Sequence, residues 1–295
     1  MKKVEQNLKA YKFKIVISAF MVLALFSSGC NPLVEEGVRK ADLKKDVELV
    51  TDYGTIIFRL SDETPLHRNN FIKLVNKEFY DSLLFHRVVN EFLVQTGDPD
   101  SRGAIAEVPL GEAELPYTVP AEFTPNLFHK RGAINAARND NPARASSSTQ
   151  FTIIQGRVYT DSTLNDAEAR INGWLANNRV VNDPNNKALL DHIQDLRRRN
   201  PVNDSIPILR IQLQELVNTD LANTPPYRIP EEHREIYKTI GGAAHLDQNY
   251  TVFGEVVKGI EVVDSIAGVE TDRTARPVKD VRIISARMIK REDYN

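Results

Sequence analysis

The feature that most constrains this chain is an interruption. Short strand-like runs fill residues 46–156 and 241–295, while residues 157–240 between them carry helical periodicity. Val47–Thr51 alternates, Asp52-Tyr53-Gly54 turns and Thr55–Leu60 returns, as in a β-hairpin whose glycine supplies the awkward backbone angle. Leu84–Val88, Phe92–Gln95, Ala133–Ala137, Phe151–Ile154 and Thr251–Val256 read as further strands, and Val278–Ile289 as a long closing one. Two helices accompany them. Thr64-Pro65 offers an N-cap and a first-turn proline ahead of the face Leu66, Asn70, Phe71, Leu74 and Val75. Lys258–Ala267 sets Ile260, Val263 and Ile266 on one side. Many short strands with two helices point to a closed or sandwiched β fold rather than βαβ units.

The interrupting tract reads as three or four helices set within the β domain. Asp183-Pro184 and Ile229-Pro230 are helix starts, and Ile206, Leu209, Leu213, Leu216, Val217 and Leu221 form an apolar stripe. A segment of this size is either a surface excursion or a lid or added binding surface. The second reading predicts that deleting Val158–Lys238 spares what the β domain does to small ligands and impairs what it does to whole proteins.

Charge excludes some partners. With 38 Lys+Arg against 40 Asp+Glu the formal charge is −2, and the basic residues are scattered, so no nucleic-acid partner is expected. The 6 histidines are dispersed without metal-ligand spacing, and no Gly-rich phosphate loop appears, so no metal and no cofactor is expected.

The amino terminus is a different kind of segment. Lys2, Lys3, Lys9, Lys12 and Lys14 precede an apolar run from Ile15 to Phe26, too short for the roughly 20 residues of a bilayer span. Ser27-Ser28-Gly29-Cys30 follows, so residues 1–29 read as a secretory signal. Leu25–Cys30 resembles a bacterial lipobox, which implies lipid on Cys30 and cleavage just before it; an ordinary signal with an incidental cysteine is the other reading. Residues 30–45 then read as a lipidated tether. Cys30 is the single cysteine, so packing alone must hold the domain. The implied location is the cell envelope, at the periplasmic face of the outer membrane, with the cell surface as the alternative.

Arg87 sits in a strand-like run beside Phe85, His86 and Phe92, with Gln95 close behind; alternation would put Phe85 and Arg87 on one face. Taken alone, an arginine between apolar residues reads as a surface or salt-bridged side chain, and His86 as a structural histidine; only the joint pattern of the motifs around them points elsewhere.

Phe85-His86-Arg87-Val88-Val89 and Phe92-Leu93-Val94-Gln95-Thr96-Gly97-Asp98-Pro99 together resemble the signature of the cyclophilins. Gly132–Arg138, Thr149-Gln150-Phe151, Leu246-Asp247 and Thr251–Gly254 resemble later family segments, in family order. The resemblance implies a mainly β fold, an eight-stranded antiparallel β-barrel capped by two helices, here with an inserted α-helical segment. It implies a peptidyl-prolyl cis-trans isomerase acting as a monomer on proline-containing unfolded or nascent exported polypeptides. Arg87 falls on the catalytic arginine and Gln95 on its supporting glutamine. Substrate contacts fall on Phe85, His86, Phe92, Leu93, Ala137, Arg138, Gln150, Phe151, Thr152, His245, Leu246 and Tyr250, with the backbone at Ala137 and Arg138 holding the peptide. Thr152 replaces a usual aromatic, His245 a frequent tryptophan and Tyr250 a common histidine. These departures predict weak cyclosporin binding, which tight inhibition would refute. They also leave open a catalytically weak, proline-peptide-binding chaperone on the same barrel.

Overall fold

The computed structural model describes residues 33–106 and 108–294. The expected signal segment and Cys30 lie outside the described residues. Eight strands build the body: β1 (Lys45–Thr51), β2 (Gly54–Leu60), β3 (Arg87–Val89), β4 (Leu93–Thr96), β5 (Ala133–Ala136), β6 (Phe151–Ile154), β7 (Val252–Lys258) and β8 (Ile283–Lys290). Their order is β8-β1-β2-β7-β5-β6-β4-β3, and every pairing is antiparallel. The two ends of this curled sheet meet. Leu84 bridges Arg282, Phe85 N–H donates to Val281 at 2.9 Å, and Ile283 N–H donates to Leu83 at 2.8 Å. Closure of this kind leaves few unpaired edge groups.

Alternation decides which residues fill the inside. Val88, Val94, Ile153 and Ile134 are mutual register partners across β3, β4, β6 and β5, and all four lie in the central core. Helix α1 (Pro65–Asn76) covers one opening, and its Phe71 stacks on Tyr80 and meets Phe151 edge-on, with ring centroids 4.8 and 5.1 Å away. Helix α6 (Ile260–Ala267) covers another part of the barrel, with its Val263 and Ile266 fully buried.

Three expectations change. Val278 is exposed and the closing strand begins only at Ile283. Thr64 occupies the N-cap position of α1 but its side chain makes no cap; the carboxylate of Glu122 accepts the N–H groups of Leu66 and His67 instead, at 3.0 Å each. The tether is shorter than expected. Leu33–Glu35 and Val38–Arg39 pair as a small ribbon, Val38 is wholly buried in the barrel core, and Asp42 accepts from Arg39 N–H and from Asn76 on α1. An apolar residue able to reach the core docks the segment that carries it.

Between β6 and β7 stand α2 (Asp161–Asn182), α3 (Lys187–Arg199), α4 (Ser205–Asn223) and α5 (Glu231–Thr239). The tract leaves and rejoins the barrel at one point. Gly156 has φ +71°, and a Cβ there would fall 2.4 Å from the Cα of Gly242, so the neck requires glycine. The tract is not a detached excursion. Leu164, Ala167 and Ile171 of α2, with Tyr237 of α5, share one buried cluster with Phe128 and Ala244 of the barrel. Only part of the α4 stripe is covered: Ile206 and Val217 are buried, while Leu216 and Leu221 are exposed.

Candidate active site

Residues paired across an antiparallel sheet share a face, so register lays out the outer wall of the barrel in rows. One row is polar and runs Arg87–Gln95–Thr152–Asn135 across β3, β4, β6 and β5. Two residues further along, the row Val89–Leu93–Ile154 is apolar. A line of cationic and amide groups thus borders an apolar floor.

The polar row is wired together. Arg87 Nη1 donates to Gln95 Oε1 at 3.3 Å, and Gln95 Nε2 donates to Gln150 Oε1 at 3.0 Å. Gln150 Nε2 donates to the carbonyls of Gly111 and Ala113, at 2.9 and 3.0 Å, which fixes the last amide in the chain. Partial burial lowers the pKa of Arg87, yet a guanidinium so far above neutrality keeps its charge. Thr152 Oγ1 donates to Asn135 Oδ1 at 2.5 Å, so these buried polar groups satisfy each other.

Beside the row lies a second apolar cluster, separate from the barrel interior. Leu93, Ala133, Ile154, Ala243, Leu246 and Val252 are buried in it, and Phe92, Leu127, Trp174 and Tyr250 pack against it half-exposed. Two aromatic arms border this floor. Phe92 lies between Arg87, 5.9 Å from its centroid, and His245, whose ring centroid is 5.2 Å away. Tyr250 lies between Arg138, 5.1 Å from its centroid, and Trp174, at 6.5 Å and nearly perpendicular. Arg138 is held by Asn249, through Nε to the backbone carbonyl at 3.0 Å and Nη2 to Oδ1 at 2.8 Å. Burial, with the charge of Arg170 next, pushes the His245 imidazole down to about 4.

The structure gathers Arg87, Phe92, Leu93, Gln95, Arg138, Gln150, Thr152, His245, Leu246 and Tyr250 around one outer surface. Phe85 and Phe151 do not belong to it. Both are 1% exposed in the barrel core, because Phe151 pairs with Thr96 and Ala136 on the inner face and β3 begins only at Arg87. The expected shared face of Phe85 and Arg87 therefore does not exist. His86 is also buried, with both ring nitrogens unpartnered, and burial pushes it down to about 4. The backbone of Ala137 is already engaged: its N–H donates to Gln150 and its carbonyl accepts from Ser147. Peptide pairing through Ala137 would have to displace those bonds.

Sequence reasoning missed Trp174, Leu127, Ile154 and Asn135. Ile154 and Asn135 were recoverable from the two-residue period, since they lie two residues from Thr152 and Ala137 in their own strands. Trp174 was not, because nothing in a helical run tells which surface the helix will meet.

One further group has the connectivity of a catalytic triad. His67 Nδ1 meets Glu122 Oε2 at 2.7 Å and His67 Nε2 meets Ser146 Oγ at 2.9 Å. Ser146 is 1% exposed, so its hydroxyl meets no substrate, and Glu122 serves as the cap of α1. Among the described residues no cluster of three or more His, Cys, Asp or Glu could hold a metal ion.

The family model of cyclophilin-type peptidyl-prolyl cis-trans isomerases matches residues 46–213 and 233–288. A Staphylococcus haemolyticus protein provisionally assigned as a peptidyl-prolyl cis-trans isomerase is 24% identical over 255 residues, covering 86% of this chain and 95% of its own. A Streptococcus pyogenes protein, provisionally assigned as a bifunctional phosphatase and peptidyl-prolyl isomerase, is 26% identical over 240 residues. The match covers 80% of this chain but only 37% of that longer relative. A crystal structure of a Cryptosporidium parvum cyclophilin-type isomerase with the dipeptide Ala-Pro aligns at TM-score 0.47 and 15% identity, over 83% of this chain and 99% of that one.

Proposed function

The chain belongs to the cyclophilin-type peptidyl-prolyl cis-trans isomerase family, whose enzymes rotate Xaa–Pro bonds, and from that premise we propose Arg87 as the catalytic residue of its outer groove. The observation that carries this reading is the Arg87–Gln95–Gln150 chain of hydrogen bonds bordering the floor of Leu93 and Leu246. The proline ring rests on that floor beside Phe92. As the amide twists, its nitrogen becomes pyramidal and its lone pair leaves conjugation with the carbonyl and localises on nitrogen, where Arg87 meets it with an N–H. The planar amide offers no such lone pair, so the bond favours the transition state over both ground states. Gln95 takes one guanidinium N–H and fixes the direction of the fork. Nothing in the reaction breaks a bond, so no nucleophile is required.

A protease-coupled assay on an Xaa-Pro tetrapeptide tests this. The parent chain should accelerate isomerisation, and Arg87→Ala should lower kcat/KM by about a hundredfold, near 2.7 kcal/mol of transition-state stabilisation. An active Arg87→Ala variant would overturn the role of Arg87.

The buried Thr152–Asn135 pair supports a second reading, a proline-peptide-binding chaperone with weak catalysis, because it places polar groups where an apolar contact would grip the ring. No acceleration by the parent, together with measurable peptide binding, would favour it.

The substrates we infer are exported polypeptides folding at the cell envelope, with this chain held there by lipid on Cys30. The Lys-rich start, the short apolar run and Ser27-Ser28-Gly29-Cys30 support this. Cys30→Ser should abolish labelling by a radioactive fatty acid and release the protein from membranes. Labelling that persists in the variant would refute the anchor.

A further inference from the structure

We propose that Trp174, carried by the inserted helix α2, is a wall of the proline pocket and tunes which residues the pocket holds. This rests on the isomerase reading of the groove. The strand rows provide a floor, and a floor alone cannot position a small saturated ring. Phe92 closes one side. On the other, Tyr250 is continued by Trp174, whose indole packs against the Leu93–Ile154–Leu246 cluster while remaining partly exposed. The indole is partly open at the rim of this apolar surface, where a ligand gains contact area without the helix moving.

Two observations make the placement firm. One turn before Trp174, Ile171 is wholly buried in the cluster that joins α2 to Phe128 and Ala244, and beyond it Ala176 and Val180 pack against Val217 of α4. The helix under the indole is thus anchored on both sides. The guanidinium of Arg170 lies 4.7 Å from the indole centroid, a cation–π contact that holds the ring against the pocket. The helical insertion therefore contributes a side chain to the groove.

Trp174 is the single tryptophan of the chain, so its emission reports on this pocket alone. Titrating the full chain with an Xaa-Pro tetrapeptide should change indole emission saturably, and an Xaa-Ala control peptide should not. Trp174→Ala should lower kcat/KM for the tetrapeptide by about tenfold, chiefly through KM. Trp174→Phe should recover most of that loss, and Arg170→Ala should fall between. Circular dichroism and a thermal melt show whether each variant is folded; should Trp174→Ala not fold, Trp174→Phe and the parent's fluorescence still decide. Unmoved emission at saturating peptide, with turnover unchanged in Trp174→Ala or Trp174→Phe, would overturn the proposal. A parent that shows saturable emission without isomerisation would sink the isomerase reading and leave the wall in place. Silence in both measurements overturns both.

Discussion

The phenol of Tyr237, on the last inserted helix, donates to Asp247 at 2.8 Å, and both residues are buried. Asp247 also accepts from the backbone N–H of His129 at 2.9 Å and meets His129 Nδ1 at 2.7 Å. One carboxylate therefore joins the insertion, the segment before β5 and the segment after Leu246. Tyr237→Phe leaves part of that buried charge without a donor and should destabilise the fold by about 1–3 kcal/mol, measured by urea unfolding. The tetrapeptide kcat/KM should stay within about twofold, since Tyr237 touches no pocket residue of the polar row.

Deletion of Val158–Lys238 now carries a different expectation from the one drawn from sequence. It removes Tyr237 and uncovers Phe128 and Ala244. The shortened chain should expose apolar surface, bind a hydrophobic dye and lose the cooperative unfolding transition, with tetrapeptide turnover lost alongside. A deletion variant that unfolds cooperatively with full turnover would show that the insertion is dispensable.

Gln95 is the middle of the polar row, so its removal should act through Arg87. Gln95→Leu has similar bulk but accepts no hydrogen bond, leaving the Arg87 fork free to turn and Gln150 without its donor. Turnover should fall by about tenfold with little change in melting temperature, and Gln95→Glu should keep more activity because its carboxylate still accepts from the guanidinium. Equal loss in both variants would argue that Gln95 does more than orient Arg87.

Thr152 and Asn135 satisfy each other in the outer wall. Thr152→Val keeps the shape and leaves Asn135 Oδ1 without its donor, at a cost of about 1–3 kcal/mol in chemical denaturation. An unchanged midpoint would show that another group satisfies Asn135.

Acid should weaken the fold through its buried histidines. Burial pushes His86 and His245 down to about 4 from 6.5. Between those values the unfolded chain takes up protons that the folded chain refuses, so stability falls as pH drops from about 6.5 towards 4 and is regained as pH rises. His86→Leu should flatten the pH dependence of the urea midpoint across that window. Turnover itself should be level from pH 6 to 8, because both imidazoles stay neutral there and Arg87 stays charged.

Much of the site was legible in the sequence because strands obey a fixed period of two. Arg87, Gln95 and Leu93 lie where alternation and the quoted motifs place them, and the helical tract is recognisable from its different period. Chain order cannot say where a strand starts. Phe85 looked like a neighbour of Arg87 and lies in the core because the last residues before β3 are not extended in register. The same limit hid the docking of Val38, which turned an expected tether into part of the barrel.

By itself the sequence determined local matters: the turn at Asp52-Tyr53-Gly54, the helical tract and the strand alternation around Arg87 and Gln95. Each follows from interactions within a few residues. Tertiary structure alone decided which distant groups meet: Glu122 as the cap of α1, Asp247 as the link to Tyr237, and Trp174 beside Tyr250. Those contacts form between segments far apart in the chain, where the burial of apolar faces and the need to satisfy buried polar groups choose the partner, and no local pattern encodes that choice.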